Sequence, residues 1–181
     1  MSSSRRVVGA LLAVLLSVPA LAAVDKVGTS SATFSGKGPA GFKLDGKTED
    51  LKVKEDGKSV TVTVPLKDLT TGIELRDSHM RDKYLEVGKY PDAVFELPYA
   101  SVTLPADGKK TSGKGKGKLT LHGKTKEVPF TYTIQRKGDT YTANGTMPVN
   151  LKDHDISVPN YLGVTVKPDI ETAVTFQFKK S

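Results

Sequence analysis

The chain has 181 residues, 37% of them hydrophobic, with 27 Lys and Arg against 20 Asp and Glu for a net charge of +7; that is enough for one domain with its own core. Cysteine is absent, which excludes disulfides, thiol catalysis, iron–sulfur clusters and cysteine-type zinc sites. The positive excess is modest and spread along the chain, which suits weak contact with an anionic membrane surface and argues against a nucleic-acid partner.

The first stretch, "MSSSRRVVGALLAVLLSVPALAAV", places Arg5 and Arg6 ahead of an apolar run from Val7 to Val18 and a small-x-small Ala20-Leu21-Ala22. This pattern predicts a cleaved signal peptide over residues 1–22 and a mature domain over 23–181, in the periplasm or secreted. The apolar run is shorter than the roughly 20 residues a spanning helix needs. Losing Arg5 and Arg6 takes the net charge from +7 down by two.

Thereafter Val, Thr and aromatic residues recur with period two. Strands are predicted around Ala32–Phe34 and, less regularly, from Phe42 to Val53. "SVTVTVPL" sets Val60, Val62, Val64 and Leu66 on one face. Further strands follow around Ala93–Val102, "KLTLHG", "VPFTYTI", "TYTANGTMPVN" and "TAVTFQFKK". Such alternation reads as half-buried antiparallel strands. Turn points are expected at Asp45-Gly46, Asp56-Gly57, Asp107-Gly108, His122-Gly123 and Lys137-Gly138. About eight strands favour a barrel or a sandwich, and a barrel of that size can hold one small ligand. "GKKTSGKGKGKLTL" (Gly108–Leu121) reads as a flexible hairpin whose lysines blunt a sheet edge; it lacks the ending of a nucleotide-binding loop.

Between two strands lies "TTGIELRDSHMRDKYLEVGKYP". Thr71-x-x-Glu74 fits a capping box. From Glu74 to Val87 the pattern is that of one amphipathic helix, with Ile73, Met80, Tyr84 and Val87 near one face, the last three on a shared side, and Asp77–Arg81 at i, i+4. Gly88 and Pro91 end it. The helix is expected either over a barrel mouth or against a sheet edge. Arg76, Asp77 and His79 read as a cluster fixing the helix to the barrel.

No catalytic pattern stands out. There is no nucleophile-elbow motif, and Glu49-Asp50 would point to opposite faces of a strand. His79, His122 and His154 are too widely spaced for a metal motif, although Asp153, His154 and Asp155 are adjacent. The chain therefore reads as a non-enzyme, with no metal or cofactor assigned.

The helical segment also resembles the signature of the YceI-like family, through Thr71, Gly72, Arg76, Asp77, His79, Val87, Lys89, Tyr90, Pro91 and Phe95. A second stretch, "GKGKLTLHGKTKEVPF", is similar to the family's strand pair through Gly117, Leu119, Thr120, Gly123, Thr125, Lys126 and Val128. The closing segment "DISVPNYLGVTVKPDIETAVTFQF" resembles one branch. Two departures fall on the expected tunnel wall and mouth: the family's "F-x-V-x-H" histidine is missing after the first strand, and "LKDHDISVPNYLG" lacks the arginine of "R-x-DFG".

The resemblance implies a lipocalin-like, antiparallel β-barrel of about eight strands with the short helix at its mouth. It also implies a periplasmic protein that binds a long apolar partner, a polyisoprenoid or an acyl lipid, in an elongated tunnel. Such a tail needs a dry lining, for which Val62, Val64, Met80, Tyr84, Phe95, Leu121, Phe130, Tyr132, Tyr161, Leu162 and Phe176 are the candidates. Arg76, Asp77 and His79 would support the mouth. The same alternation fits a filled barrel serving as an envelope stress or interaction protein, and the oligomeric state, homodimer included, is left open.

Overall fold

The computed structural model describes residues 24–161 and 164–180. The strands are β1 (Val24–Lys37), β2 (Lys43–Glu49), β3 (Lys52–Glu55), β4 (Ser59–Pro65), β5 (Asp92–Pro98), β6 (Lys110–Leu121), β7 (Lys124–Lys137), β8 (Thr140–Asn150), β9 (Asn160–Tyr161), β10 (Val164–Thr165) and β11 (Asp169–Lys180). Nine of them form one antiparallel sheet in the order β2-β1-β11-β8-β7-β6-β5-β4-β3, and β9 with β10 makes a small separate ribbon.

The period-two reading sets the inward face. Val128, Phe130 and Ile134 on β7 are buried, as are Tyr141, Ala143 and Val149 on β8 and Ile170, Phe176 and Phe178 on β11. The sheet curls on itself, but its edges β2 and β3 share no ladder. Closure comes from the segment after β4. Lys47 and Thr70 exchange backbone hydrogen bonds of 2.8 and 2.9 Å, and Thr48 Oγ1 donates to the Pro65 carbonyl at 3.3 Å. Leu51, 1% exposed, gives its N–H to Ser30 Oγ at 3.0 Å. The all-β antiparallel barrel with one helix at its mouth is therefore the observed architecture.

Three local expectations are corrected. β1 is far longer than the Ala32–Phe34 stretch suggests, because a register shift between Val27 and Ser30 breaks its alternation. Asp45-Gly46 is not a turn but lies inside β2; a Cβ on Gly46 would stand 2.3 Å from the Phe34 ring, so glycine is there for the ring. The lysine–glycine stretch is no flexible hairpin: from Lys110 it is strand β6, laddered to β7 along its whole length.

In that strand Gly113, Gly115 and Gly117 all point to the inner face and lie under aromatic rings. A Cβ would come within 2.6 Å of Tyr132, 2.8 Å of Phe130 and 2.4 Å of Phe95 respectively. The intervening Lys114, Lys116 and Lys118 are exposed on the outer face. β6 pairs with β5 only at Lys118–Thr120. The segment after β5 is tied down beside this gap, where Thr103 N–H donates to Tyr132 Oη at 2.9 Å.

Candidate functional site

The helical insert is pinned by its own first residues. The helix α1 spans Glu74–His79, and Ile73, with no side-chain cap, stands where the capping box had placed Thr71. Thr71 is engaged elsewhere: its hydroxyl and its N–H (2.7 Å) both donate to Asp77 Oδ1, while Thr70 Oγ1 donates to Asp77 Oδ2. Arg76 then donates from Nε to Thr71 Oγ1 at 2.6 Å and from Nη2 to the Thr71 carbonyl at 3.0 Å. Arg81 Nη1 reaches the Leu69 carbonyl at 3.2 Å.

Asp77 is 5% exposed. Burial pushes its carboxyl up, but the Thr70 and Thr71 hydroxyls, the Thr71 N–H and the Arg81 charge outweigh that and hold it below the usual carboxylate range. Arg76 and Asp77 thus brace the helix through Thr70 and Thr71. His79 takes no part in this network; it is exposed and faces the cavity described below.

The helix continues as a π-helical turn over Met80–Tyr84, closed by Leu85 N–H donating to the Met80 carbonyl at 2.9 Å. Met80 and Tyr84 line a cavity between this turn and the sheet. Val87 packs on the core beside it.

The far end of the insert is latched to the β6–β7 hairpin and to the 3-10 turn Leu151–His154. His122 Nε2 lies 2.7 Å from Glu86 Oε2, and His122 Nδ1 lies 3.1 Å from the His154 carbonyl. His154 is 1% exposed and turns Nδ1 to the Lys124 carbonyl at 3.1 Å. Glu86, His122 and Asp155, all at the latch, share a left-handed backbone, with φ of 45, 50 and 55°. Among the described residues no three His, Asp or Glu side chains come together as a metal site.

The cavity has a volume of about 670 Å³ and an almost wholly apolar wall. Val64, Leu66, Leu69, Ala93, Leu121 and Ala173 line it together with the larger Phe34, Met80, Tyr84 and Phe95. The other end of the barrel is filled by rings. Phe95 and Phe130 meet edge to face at 5.5 Å between centroids, and Tyr141 stacks on Phe178 at 5.0 Å. A space of about 90 Å³ lies there.

The predicted lining residues divide along this line. Val62, Val64, Met80, Tyr84, Phe95 and Leu121 face the large cavity. Phe130, Tyr132 and Phe176 belong to the packed end and border the small one. Val62 and Phe95 touch both. Leu162 and the Tyr161 side chain lie outside the described residues.

Sequence reasoning missed Phe42 and Leu75 at the rim and placed Ile73 on the helix face without assigning it to the lining. Phe42, Ile73 and Leu75 are 37%, 54% and 57% exposed and all border the cavity. The signal that marks them is their apolar character in segments without period-two alternation. Leu151, Ile156 and Val166 on the connection after β8 close another side.

The YceI-like domain family matches residues 22–179. A UPF0312 protein of Pseudomonas putida is 31% identical over 134 residues, 70% of this chain and 67% of the relative. Two solved structures share the fold. A polyisoprenoid-binding domain from Saccharophagus degradans, implicated in plant cell wall breakdown, superposes with a TM-score of 0.72 at 16% identity, covering 90% of this chain and 100% of that one. BcnA of Burkholderia cenocepacia gives 0.64 at 21% identity, covering 82% and 95%.

Proposed function

The chain belongs to the YceI-like domain family, and from that premise we propose that it binds a polyisoprenoid or a similarly long apolar lipid, with the tail in the cavity beneath α1. The observation that carries this reading is the cavity itself, about 670 Å³ and walled mostly by apolar side chains. At about 30 Å³ per group, a liquid water's share, such a space takes roughly 20 methylene-sized groups. Each buried methylene contributes about 0.8 kcal/mol, so the gross gain exceeds the roughly 4–15 kcal/mol that association costs. The polyisoprenoid-binding domain of S. degradans, which shares this fold, supports the same ligand class.

The hollow half also favours a carrier over a filled barrel acting only through its surface. In this reading residues 1–22 direct export, the mature domain works in the periplasm or outside the cell, and it carries its ligand without transforming it.

The test is organic extraction and mass spectrometry of protein purified without denaturant. One dominant long-chain species is expected. Added polyprenol should raise the melting temperature of delipidated protein, and Ala93→Trp, which places an indole in the cavity, should abolish that rise while the protein stays folded. If no lipid is extracted and polyprenol leaves the melting temperature unchanged, the carrier reading fails.

A further inference from the structure

Among the described residues the large hydrophobic side chains left exposed are Phe42, Ile73 and Leu75, and all three border the large cavity. They come from two segments. Gly41 and Gly72, with φ of 77 and 81°, turn the chain just before Phe42 and Ile73, and a Cβ on either would meet nothing within 4 Å. Both turns therefore stand clear of the body of the protein. The bridge between Lys47 and Thr70 is antiparallel, so the chain followed back from Lys47 to Phe42 and forward from Thr70 to Ile73 runs toward one end of the barrel. The basic side chains Arg76, His79 and Lys83 line the cavity, and among its described residues no Asp or Glu does. Lys43, also exposed, follows Phe42. The exposed acids Glu74 and Asp82 of the insert lie outside the lining.

With the carrier reading above as its premise, we propose that this rim is a membrane-docking surface. Phe42, Ile73 and Leu75 enter the interfacial layer of an anionic bilayer, and the cavity opens onto it. A long tail that leaves the cavity through water exposes the apolar surface the cavity hides, whereas a mouth seated on a bilayer gives it a dry path. The exposed area of the three side chains is on the order of 300 Å². A standard protein interface buries about 800 Å² per partner, so the patch is too small to hold a second copy of the chain by itself. Interfacial binding to lipid has no such threshold. It is reversible, and it grows with the apolar area inserted and with the attraction of Lys and Arg for anionic headgroups.

The chain has no tryptophan, so Leu75→Trp puts a lone fluorophore on the rim, and Lys114→Trp puts one on the exposed outer face of β6 as a control. Each is mixed with polyprenol-free vesicles of equal parts phosphatidylethanolamine and phosphatidylglycerol, brominated on the acyl chains. The rim tryptophan is expected to shift to the blue and be quenched, and the control to keep its emission. In co-sedimentation, Phe42→Ser combined with Leu75→Ser should weaken vesicle binding about tenfold, and neutral phosphatidylcholine vesicles should bind wild type several-fold less than anionic ones. If the rim tryptophan stays unquenched, or if the serine pair binds as wild type does, the docking proposal is overturned. A wild-type dimer that the serine pair dissociates, with vesicles left unbound, assigns the rim to a second copy and overturns it too. Polyprenol that raises the melting temperature of a protein indifferent to vesicles leaves the carrier standing without the docking surface. Vesicle binding by a protein indifferent to polyprenol upholds the docking surface and removes the carrier.

Discussion

Gly117→Ala probes the glycine row of β6 with a single methyl group. The new Cβ would lie 2.4 Å from Phe95 Cζ, 2.6 Å from its Cε2 and 2.8 Å from the Glu96 carbonyl oxygen. Ordinary contact lies at roughly 3.5–4.0 Å, so the ring must retreat by more than 1 Å. Phe95 has little room to do so: it is 7% exposed and packed edge to face on Phe130. The carbonyl belongs to the neighbouring strand and moves only with the backbone. Overpacking of this kind costs about 1–3 kcal/mol, and replacing a strand glycine returns about 0.5–1 kcal/mol. The net expectation is a loss of about 1–2 kcal/mol, or roughly 3–6 °C in melting temperature for a domain of this size. Thermal unfolding followed by circular dichroism reads it directly. Lys116→Ala, on the outer face with its side chain 71% exposed, should shift the midpoint by less than about 2 °C. Adding Phe95→Leu to Gly117→Ala should recover about 1 kcal/mol relative to the sum of the two single changes. If Gly117→Ala melts at or above wild type, the glycines are not there to seat the rings and the account of β6 is wrong.

Asp77→Ala strips three donors of their shared acceptor and should cost about 2–4 kcal/mol in urea unfolding; a loss below about 0.5 kcal/mol would show that the helix is held by other contacts. Because the folded carboxyl sits below its unfolded value of about 3.9, its stabilisation is complete above that pH and fades as pH falls through the lower folded value. The stability gap between wild type and Asp77→Asn should therefore be constant near neutrality and narrow only below about pH 4; a gap that narrows between pH 8 and 6 would contradict this. His154→Ala should cost about 2–3 kcal/mol, since it leaves a void at a site 1% exposed and removes the ring's bond to the Lys124 carbonyl, and chemical denaturation that shows no change would remove the latch from the list of structural supports.

The amino-acid order by itself determined the strand phases, the tight turns at Asp56-Gly57 and His122-Gly123, and the helical interruption, because these depend on neighbours a few residues apart. The family signature also pointed to Arg76 and Asp77, although their partners turned out to be Thr70 and Thr71. What alternation reports is the face a side chain takes, not how far it reaches across the barrel. Phe130 and Leu121 look alike by that criterion, yet one helps plug the far end and the other borders an open cavity. The "GKGKGK" of β6 has the composition of a loose linker, and only the rings of Phe95, Phe130 and Tyr132, brought over it from neighbouring strands, explain it. The closure of the sheet through Lys47 and Thr70, and the gathering of Phe42, Ile73 and Leu75 at one rim, join segments distant in the chain. Such distances are settled when the sheet curls and the summed lengths of opposing side chains either meet or fall short.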